Sequence, residues 1–182
     1  MDQEPFNLMT LLLPHRLTME IHGLRDSLWK TSGNISTKVL PPCIPLLPMH
    51  DGESIPEDIN WRTATLVVSP LPISTSQAIL LPFLSDEPIQ RLRTEIQDRL
   101  ERPYDADNGV LVGIPSLVQR TGIYLSSDDK GIVRHIAAME LVLAPFDDAR
   151  LALIRCTPMK PGTLEQGAGW EILEQRHLVG HD

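Results

Sequence analysis

The sequence predicts a single α+β domain with two sheet-bearing lobes that meet near residue 105. Strand-like apolar segments and amphipathic helices follow the order strand, helix, strand, hairpin, helix, strand, helix, hairpin. This order divides into two similar halves and lacks the regular strand–helix alternation of a doubly wound parallel sheet. The chain has 182 residues, of which 42% are hydrophobic, and this is the size of one globular domain. Residues 1–182 are therefore expected to form one bilobal unit.

The first elements are predicted from strand and helix periodicity. Residues 7–13 form an apolar run that Pro14 bounds, which indicates a strand. The next segment has the apolar spacing of one helix face, at Leu17, Ile21, Leu24 and Leu28. Residues 37–47 are apolar but rich in proline, which removes ladder donors, so we expect an interrupted or edge strand there. Strands at 63–69 and 78–84 are expected to be joined by a long hairpin connection.

Two more helices and three more strands are predicted after residue 84. The second helix begins at Ser85 or Asp86 and has an apolar stripe at Ile89, Leu92, Ile96 and Leu100. Its arginines are interpreted as the solvated face; they are Arg91, Arg93 and Arg99. A strand at 122–127 precedes a third helix, whose stripe is Ile132, Ile136, Met139 and Leu143 and which ends at Pro145. Strands at 150–156 and 170–179 complete the order.

Charge and cysteine content exclude several classes of protein. The formal net charge of −8 argues against a protein that binds an extended nucleic acid along its phosphates. Cys43 and Cys156 are far apart and cannot form a disulfide framework, which fits a reducing, cytoplasmic location. The apolar run near the start is too short for a signal peptide or a membrane span, so no membrane partner is expected.

Several segments resemble the two-histidine phosphoesterase superfamily, which includes 2′-5′ RNA ligase-like and cyclic nucleotide phosphodiesterase-like proteins. Residues 9–14, Met-Thr-Leu-Leu-Leu-Pro, are similar to the first strand of that family. Residues 39–47, Val-Leu-Pro-Pro-Cys-Ile-Pro-Leu-Leu, are similar to its first motif strand. The hairpin ending at residues 78–82, the strand at 149–156 and the final strand from Trp170 also fit its order of elements.

The resemblance implies two pseudo-symmetric lobes, each a mostly antiparallel sheet with helices outside, around a central cleft. Each lobe of such a protein supplies one His-x-Thr/Ser motif. One imidazole takes a proton while the other donates one to the leaving oxygen, and the hydroxyls hold phosphate oxygens. The resemblance implies no metal and no cofactor.

This sequence does not keep the motif residues. At the first motif, Cys43 takes the position of the histidine and Pro45 the position of the hydroxyl residue. At the second motif, the corresponding residues are Gly122 and Tyr124. None of the six histidines has serine or threonine two residues further on. The paired acid and base of the family is therefore missing from the sequence.

The altered motif positions are the candidate site. Cys43, Pro45, Gly122 and Tyr124 are expected to line the cleft, and His50 and Trp61 are secondary candidates. Four of the six also have a plainer interpretation: Cys43 as a small buried hydrophobe, the two aromatic residues as packing, and His50 as a solvated loop residue. No catalytic residue and no metal ligand is assigned.

The sequence thus predicts a catalytically degenerate relative that binds a small molecule, a nucleotide-like ligand or a protein partner. We expect no cyclic phosphodiesterase or RNA ligase reaction. Two alternatives stay open. One is an enzyme with different chemistry in the same cleft, and the other is an interaction subunit that docks through its proline-rich segments at 40–48 and 69–73.

Overall fold

The computed structural model describes residues 5–32, 41–59, 61, 64–74, 79–103, 109–113, 133–158 and 168–178. The elements, in chain order, are β1 (Phe6–Leu12), α1 (His15–Ser32), β2 (Cys43–Met49), β3 (Ile73–Ser74), β4 (Ile79–Leu81), α2 (Glu87–Leu100), β5 (Val110–Gly113), β6 (Arg150–Pro158) and β7 (Ala168–His177). An antiparallel four-stranded sheet has the order β2-β1-β6-β7, and a three-stranded sheet has the order β3-β4-β5. The predicted α+β class is confirmed. The pseudo-symmetric lobes, the cleft and the division near residue 105 stay predictions.

One main hydrophobic core joins both sheets to both helices. It contains Met9 of β1 and Leu153 of β6 from the four-stranded sheet, together with Leu81 of β4 from the other sheet. The predicted stripe of α1 is buried along its whole length, because Leu17, Ile21, Leu24 and Leu28 are each 3% exposed or less. Because the same core contains residues of both sheets, the two sheets depend on each other for their burial.

Helix α2 begins and ends where its sequence permits. Asp86 is its N-cap residue, and the proline at position 88 lies in the first turn, where its missing N–H has no partner to lose. Glu101 ends the helix in a left-handed conformation, with φ of 50°, and its N–H donates to the carbonyl of Asp98 at 3.3 Å. Within the described part of the chain, no helix combines the length and the apolar character that a membrane crossing requires.

Strand β2 lies at one edge of the four-stranded sheet, as its prolines predict. β1 pairs with it in antiparallel register, from Asn7 opposite Met49 to Leu12 opposite Cys43. Leu46 has no partner in this register and forms a β-bulge. The predicted edge strand is thus confirmed for residues 43–47, while residues 37–40 lie outside the described part.

The predicted hairpin of 63–69 with 78–84 is only partly correct. Val68 pairs with Phe83 through an isolated antiparallel bridge. The connection, however, is not a plain loop, because its residues Ile73 and Ser74 form β3 and pair with β4. Leu66 pairs instead with Phe146, and the two residues exchange N–H···O bonds of 2.7 and 3.0 Å.

The third helix is shorter than its apolar stripe predicts. Residues 133–137 are helical, and the part before residue 133 lies outside the described chain. Ile136 is fully buried as predicted, but Met139 is 36% exposed and the helix has already ended. Glu140 takes a left-handed φ of 48°, which a continuing helix does not allow. The chain must extend here because Phe146 pairs with Leu66.

A loop at residues 50–59 is anchored to two distant parts of the fold. The N–H of Ile55 donates to the Glu174 carboxylate of β7 at 3.0 Å. Arg102, just after α2, forms an ion pair with Glu53 at 3.2 Å. Ile55 itself is 1% exposed and belongs to the main core, so the loop closes that core between β2 and β7.

Candidate functional site

The candidate site is one face of the four-stranded sheet. A second apolar cluster lies on this face, separate from the main core, and its buried sheet residues are Leu12, Cys43, Ala152, Ile154 and Cys156. Leu151 and Leu153 alternate with these residues along β6 and belong to the main core, since successive side chains of a strand point to opposite faces. Leu80 of β4 also belongs to the second cluster. We call this surface the Cys43 face.

The Cys43 thiol is enclosed and chemically quiet. It is fully buried, at the first position of β2. Burial raises the pKa of Cys43 above its ordinary value, although a hydrogen bond with Thr10 and the charge of Arg25 act in the opposite direction. The thiol is therefore neutral at neutral pH and is not an activated nucleophile. This fits the interpretation of a small buried hydrophobe, and the place of Cys43 in a cleft stays a prediction.

The neighbouring polar groups serve the backbone. The hydroxyl of Thr10 donates to the carbonyl of Ile44 at 2.8 Å, across the β1–β2 pair. Pro45 is half-buried, and its carbonyl accepts a hydrogen bond from Arg93 at 3.1 Å. Proline has neither a hydroxyl nor an N–H, so this position offers no donor for a phosphate oxygen.

Arg93 was predicted on the solvated face of α2, and this prediction is wrong. The residue is 6% exposed. Its Nε donates to the carbonyl of the bulge residue Leu46 at 3.1 Å, and its Nη2 donates to Pro45 at the same distance. These bonds satisfy two carbonyls at the edge of the sheet. A sequence signal existed, because Arg93 lies four residues after Ile89 and three before Ile96, on the apolar stripe.

Arg25 of α1 is a second buried arginine that the sequence analysis did not single out. It is 3% exposed, and its Nη2 donates to the carbonyl of Pro41 at 3.4 Å. Desolvation lowers the pKa of Arg25 to about 10, so the guanidinium keeps its charge at neutral pH. Its helical spacing, four residues after Ile21 and three before Leu28, again points toward the core.

The Cys43 face has a polar end that sequence reasoning also missed. Leu12 lies between Cys43 and Arg150, and Arg150 lies directly opposite His177 of β7. Cross-strand partners lie on the same face of a sheet, with their Cβ atoms about 5 Å apart. Cys43, Leu12, Arg150 and His177 therefore form one row across the four strands, from the thiol to the imidazole. In the described chain, the side chains of Arg150 and His177 make no hydrogen bond or ion pair with each other or with a neighbour. Gln175, opposite Ala152, adds an exposed amide to this end.

The other end of the Cys43 face is apolar, and there the side chains of β7 are exposed to solvent. Trp170 lies opposite Cys156, and Ile172 lies opposite Ile154. Their exposed fractions are 44% and 42%, which is high for residues of this size. The face thus changes from apolar to basic and polar along β7. Only the paired register of the strands reveals this gradient, because the sequence alone does not give the partners.

The secondary candidates lie apart from this face. His50 is exposed, and its backbone N–H donates to the carboxylate of Glu53 at 2.6 Å. Trp61 is 4% exposed and belongs to the main core, and its indole N–H has no hydrogen-bond partner among the described residues. Gly122 and Tyr124 lie outside the described residues. Among the residues that are described, no three His, Cys, Asp or Glu side chains come close enough to hold a metal ion.

Comparison with known proteins identifies the fold. No protein-family model matches the sequence, and no curated protein matches it. A solved structure described as "Crystal structure of phosphoesterase" is similar, with a TM-score of 0.52 and 10% sequence identity. The similarity covers 96% of this chain and 98% of that chain. At this identity the likeness is one of fold, and the chain therefore has a phosphoesterase-like α+β fold.

Proposed function

We propose that this protein is a catalytically degenerate member of the two-histidine phosphoesterase superfamily that acts as a binding module. The observation that carries the proposal is Cys43. It takes the position of the first motif histidine in the resemblance, and its thiol is buried and neutral. A fold that is phosphoesterase-like over nearly the whole chain supports the same assignment.

The chemistry of the family needs a proton acceptor on one side of a phosphate and a proton donor on the other. The Cys43 thiol cannot accept a proton in its neutral form, and Pro45 has no hydroxyl that could hold a phosphate oxygen. Among the described histidines, His177 lies on the Cys43 face, in the same row as Cys43 but three strands away across the sheet. A single imidazole at that distance does not replace a pair.

The Cys43 face is suited to binding. Arg150, His177 and Gln175 offer hydrogen-bond donors at one end, and Trp170 and Ile172 offer exposed apolar area at the other. A ligand with a polar or anionic group and an apolar or aromatic body would use both ends. We therefore assign ligand binding to this face, with the polar group of the ligand beside Arg150 and His177.

The first experiment tests the missing reaction. The protein is incubated with 2′,3′-cyclic nucleotides, and we expect no hydrolysis above the rate in buffer. Hydrolysis that is lost in Cys43→Ala or Tyr124→Phe would overturn the proposal. In parallel, native protein is treated with iodoacetamide at increasing pH. Cys43 is expected to stay unmodified in the native state and to react in urea, whereas fast native labelling would favour an enzyme with new chemistry.

The second experiment tests binding. Thermal unfolding is followed with 2′-AMP and 3′-AMP, because a ligand that binds only the folded state stabilises it by about 2.7 kcal/mol at 100 times its Kd. We expect a stabilisation that Arg150→Ala and His177→Ala reduce. The matched control is Arg91→Ala, an exposed arginine on α2. A stabilisation that all three variants keep would place the ligand elsewhere.

A further inference from the structure

The two edges of the four-stranded sheet are treated differently. At the β2 edge, Pro45 and Pro48 lack N–H donors. Arg93 donates hydrogen bonds to the carbonyls of Pro45 and Leu46, and Arg102 donates to the carbonyl of Pro48. This edge is closed to another strand. At the β7 edge, no strand of the described chain pairs with the outer side.

Strand β7 carries charged residues and a β-bulge, but it lacks the two residue types that most often protect an edge, proline and lysine. It has ten residues, Ala-Gly-Trp-Glu-Ile-Leu-Glu-Gln-Arg-His, with neither proline nor lysine. Trp170, Ile172 and Leu173 expose 44%, 42% and 42% of their surface along it. A long edge strand with exposed apolar residues is a template for a further strand.

We propose that β7 pairs with β7 of a second copy of this chain, antiparallel and around a two-fold axis, to form one continuous eight-stranded sheet. This inference is independent of the ligand assigned to the Cys43 face. It rests on the open edge and on the self-complementarity of the strand described next.

The β-bulge in β7 restricts the register. Ile172 lies opposite Ile154 and Glu174 lies opposite Leu153, so Leu173 has no partner on β6. Ile154 and Leu153 point to opposite faces, so Ile172 and Glu174 do as well, although they are two residues apart. Residues that pair across two antiparallel strands lie on the same face of the sheet. If both copies keep corresponding faces on the same side of the joined sheet, the two-fold axis must therefore pass between two residues of β7 and not through one residue.

Charge then selects one register. With the axis between Leu173 and Glu174, Glu171 of each copy lies opposite Arg176 of the other, which gives two ion pairs of opposite charge. Moving the axis by one residue, to lie between Ile172 and Leu173, would instead place Glu171 opposite Glu174 twice. Arg176 already bonds the Glu174 carboxylate and the carbonyl of Pro56, but 37% of its side chain stays exposed for a further contact. The selected register also places Ile172 opposite Gln175.

The test measures mass in solution by sedimentation velocity, from about 1 to 100 µM, where micromolar dimers dissociate. We expect the wild type to change from the monomer mass of 20.4 kDa to twice that mass as concentration rises. Ile172→Lys is expected to weaken the dimer at least about tenfold, because it places a hydrated charge in the seam. Val142→Lys is the matched control, since Val142 is 89% exposed on another segment.

A cross-link tests the register directly. The double variant Ile172→Cys with Gln175→Cys is oxidised with glutathione disulfide, and we expect a covalent dimer, because cross-strand partners have the Cα separation of a disulfide. Each single variant is expected to give none. Within one chain the two positions lie about 10 Å apart along the strand, which is too far for a disulfide. The native thiols are buried and do not compete.

Each outcome decides the proposal. A dimer that Ile172→Lys dissociates and Val142→Lys preserves, with a cross-link only in the double variant, supports it. A monomer at every concentration overturns it, and so does a dimer that Ile172→Lys leaves unchanged. A dimer that dissociates as expected but does not cross-link overturns the register.

Discussion

Replacing Arg93 by methionine would expose the role of the buried arginine at the β2 edge. The variant keeps the length and the apolar stem of the side chain but loses the two donors to Pro45 and Leu46, each at 3.1 Å. Hydrogen bonds from a charged group contribute about 1.5–3 kcal/mol each, and a buried carbonyl left without a donor costs a similar amount. Relief of the desolvated charge offsets part of this loss.

We therefore expect Arg93→Met to lower the free energy of unfolding by about 2–4 kcal/mol. The assay is urea unfolding followed by far-UV circular dichroism. The matched control is Arg91→Met on the same helix, because the Arg91 side chain is 74% exposed and its ion pair with Glu87 lies in solvent. That change is expected to cost less than about 0.5 kcal/mol. If both variants lose the same stability, Arg93 does not hold the edge strand.

Two further predictions concern packing and pH. A Cβ at Gly109 would lie 2.7 Å from the carbonyl oxygen of Leu81, so Gly109→Ala is expected to cost about 1–3 kcal/mol in urea unfolding. Gly23 lies on the exposed side of α1, and a Cβ there would meet no atom within 4 Å outside the helix backbone and the neighbouring residues, so Gly23→Ala is expected to raise the free energy of unfolding by about 0.5–1 kcal/mol. Equal effects of the two substitutions would contradict this reasoning. Burial raises the pKa of Cys156 to about 12 and the pKa of Cys43 above its ordinary value. The unfolded chain therefore loses the two thiol protons at a lower pH than the folded protein does. As a result, the free energy of unfolding falls as the pH rises above about 8.5. The free energy of unfolding is expected to fall by up to about 1.4 kcal/mol per pH unit for each thiol. In the double variant Cys43→Ala with Cys156→Ala it should fall less steeply with pH. An unchanged slope would exclude the thiols as its cause.

The parts of the fold that local chemistry determines could be predicted from the sequence. The stripe of α1 follows from the spacing of Leu17, Ile21, Leu24 and Leu28, and all four are buried. The edge position of β2 follows from its prolines, since a central strand cannot lose so many ladder donors. In both cases the decisive information lies within a few residues of sequence.

The rest depends on partners distant in sequence. The third helix has an apolar stripe through Leu143, but it ends near residue 137 because Phe146 pairs with Leu66, eighty residues earlier. Arg93 is buried because the carbonyls that it satisfies lie on another strand. Local patterns cannot distinguish such an arginine from an exposed one unless its position on the apolar stripe is given more weight than its charge.

The candidate site also has features that the local sequence predicts and features that depend on distant strand pairing. The sequence identifies Cys43 as the residue at the altered motif position and indicates that cysteine is usually buried, and the structure has it buried. It does not place Arg150 and His177 on the same face, because that requires the pairing of β1 with β6 and of β6 with β7. Gly122 and Tyr124 lie outside the described residues, so their predicted place stays a prediction.

The position of β1 between β2 and β6 has a consequence for synthesis on the ribosome. β1 has one partner, β2, close to it in sequence, but its other partner, β6, begins only at Arg150, and the carboxylate that binds the Ile55 N–H comes from Glu174. Contacts of such long sequence separation form slowly, so one side of the strongly apolar β1 has no partner strand until β6 has been synthesised. A chaperone that shields residues 6–13 until β6 has been synthesised would therefore raise the yield of native protein more than one that binds the chain only afterwards.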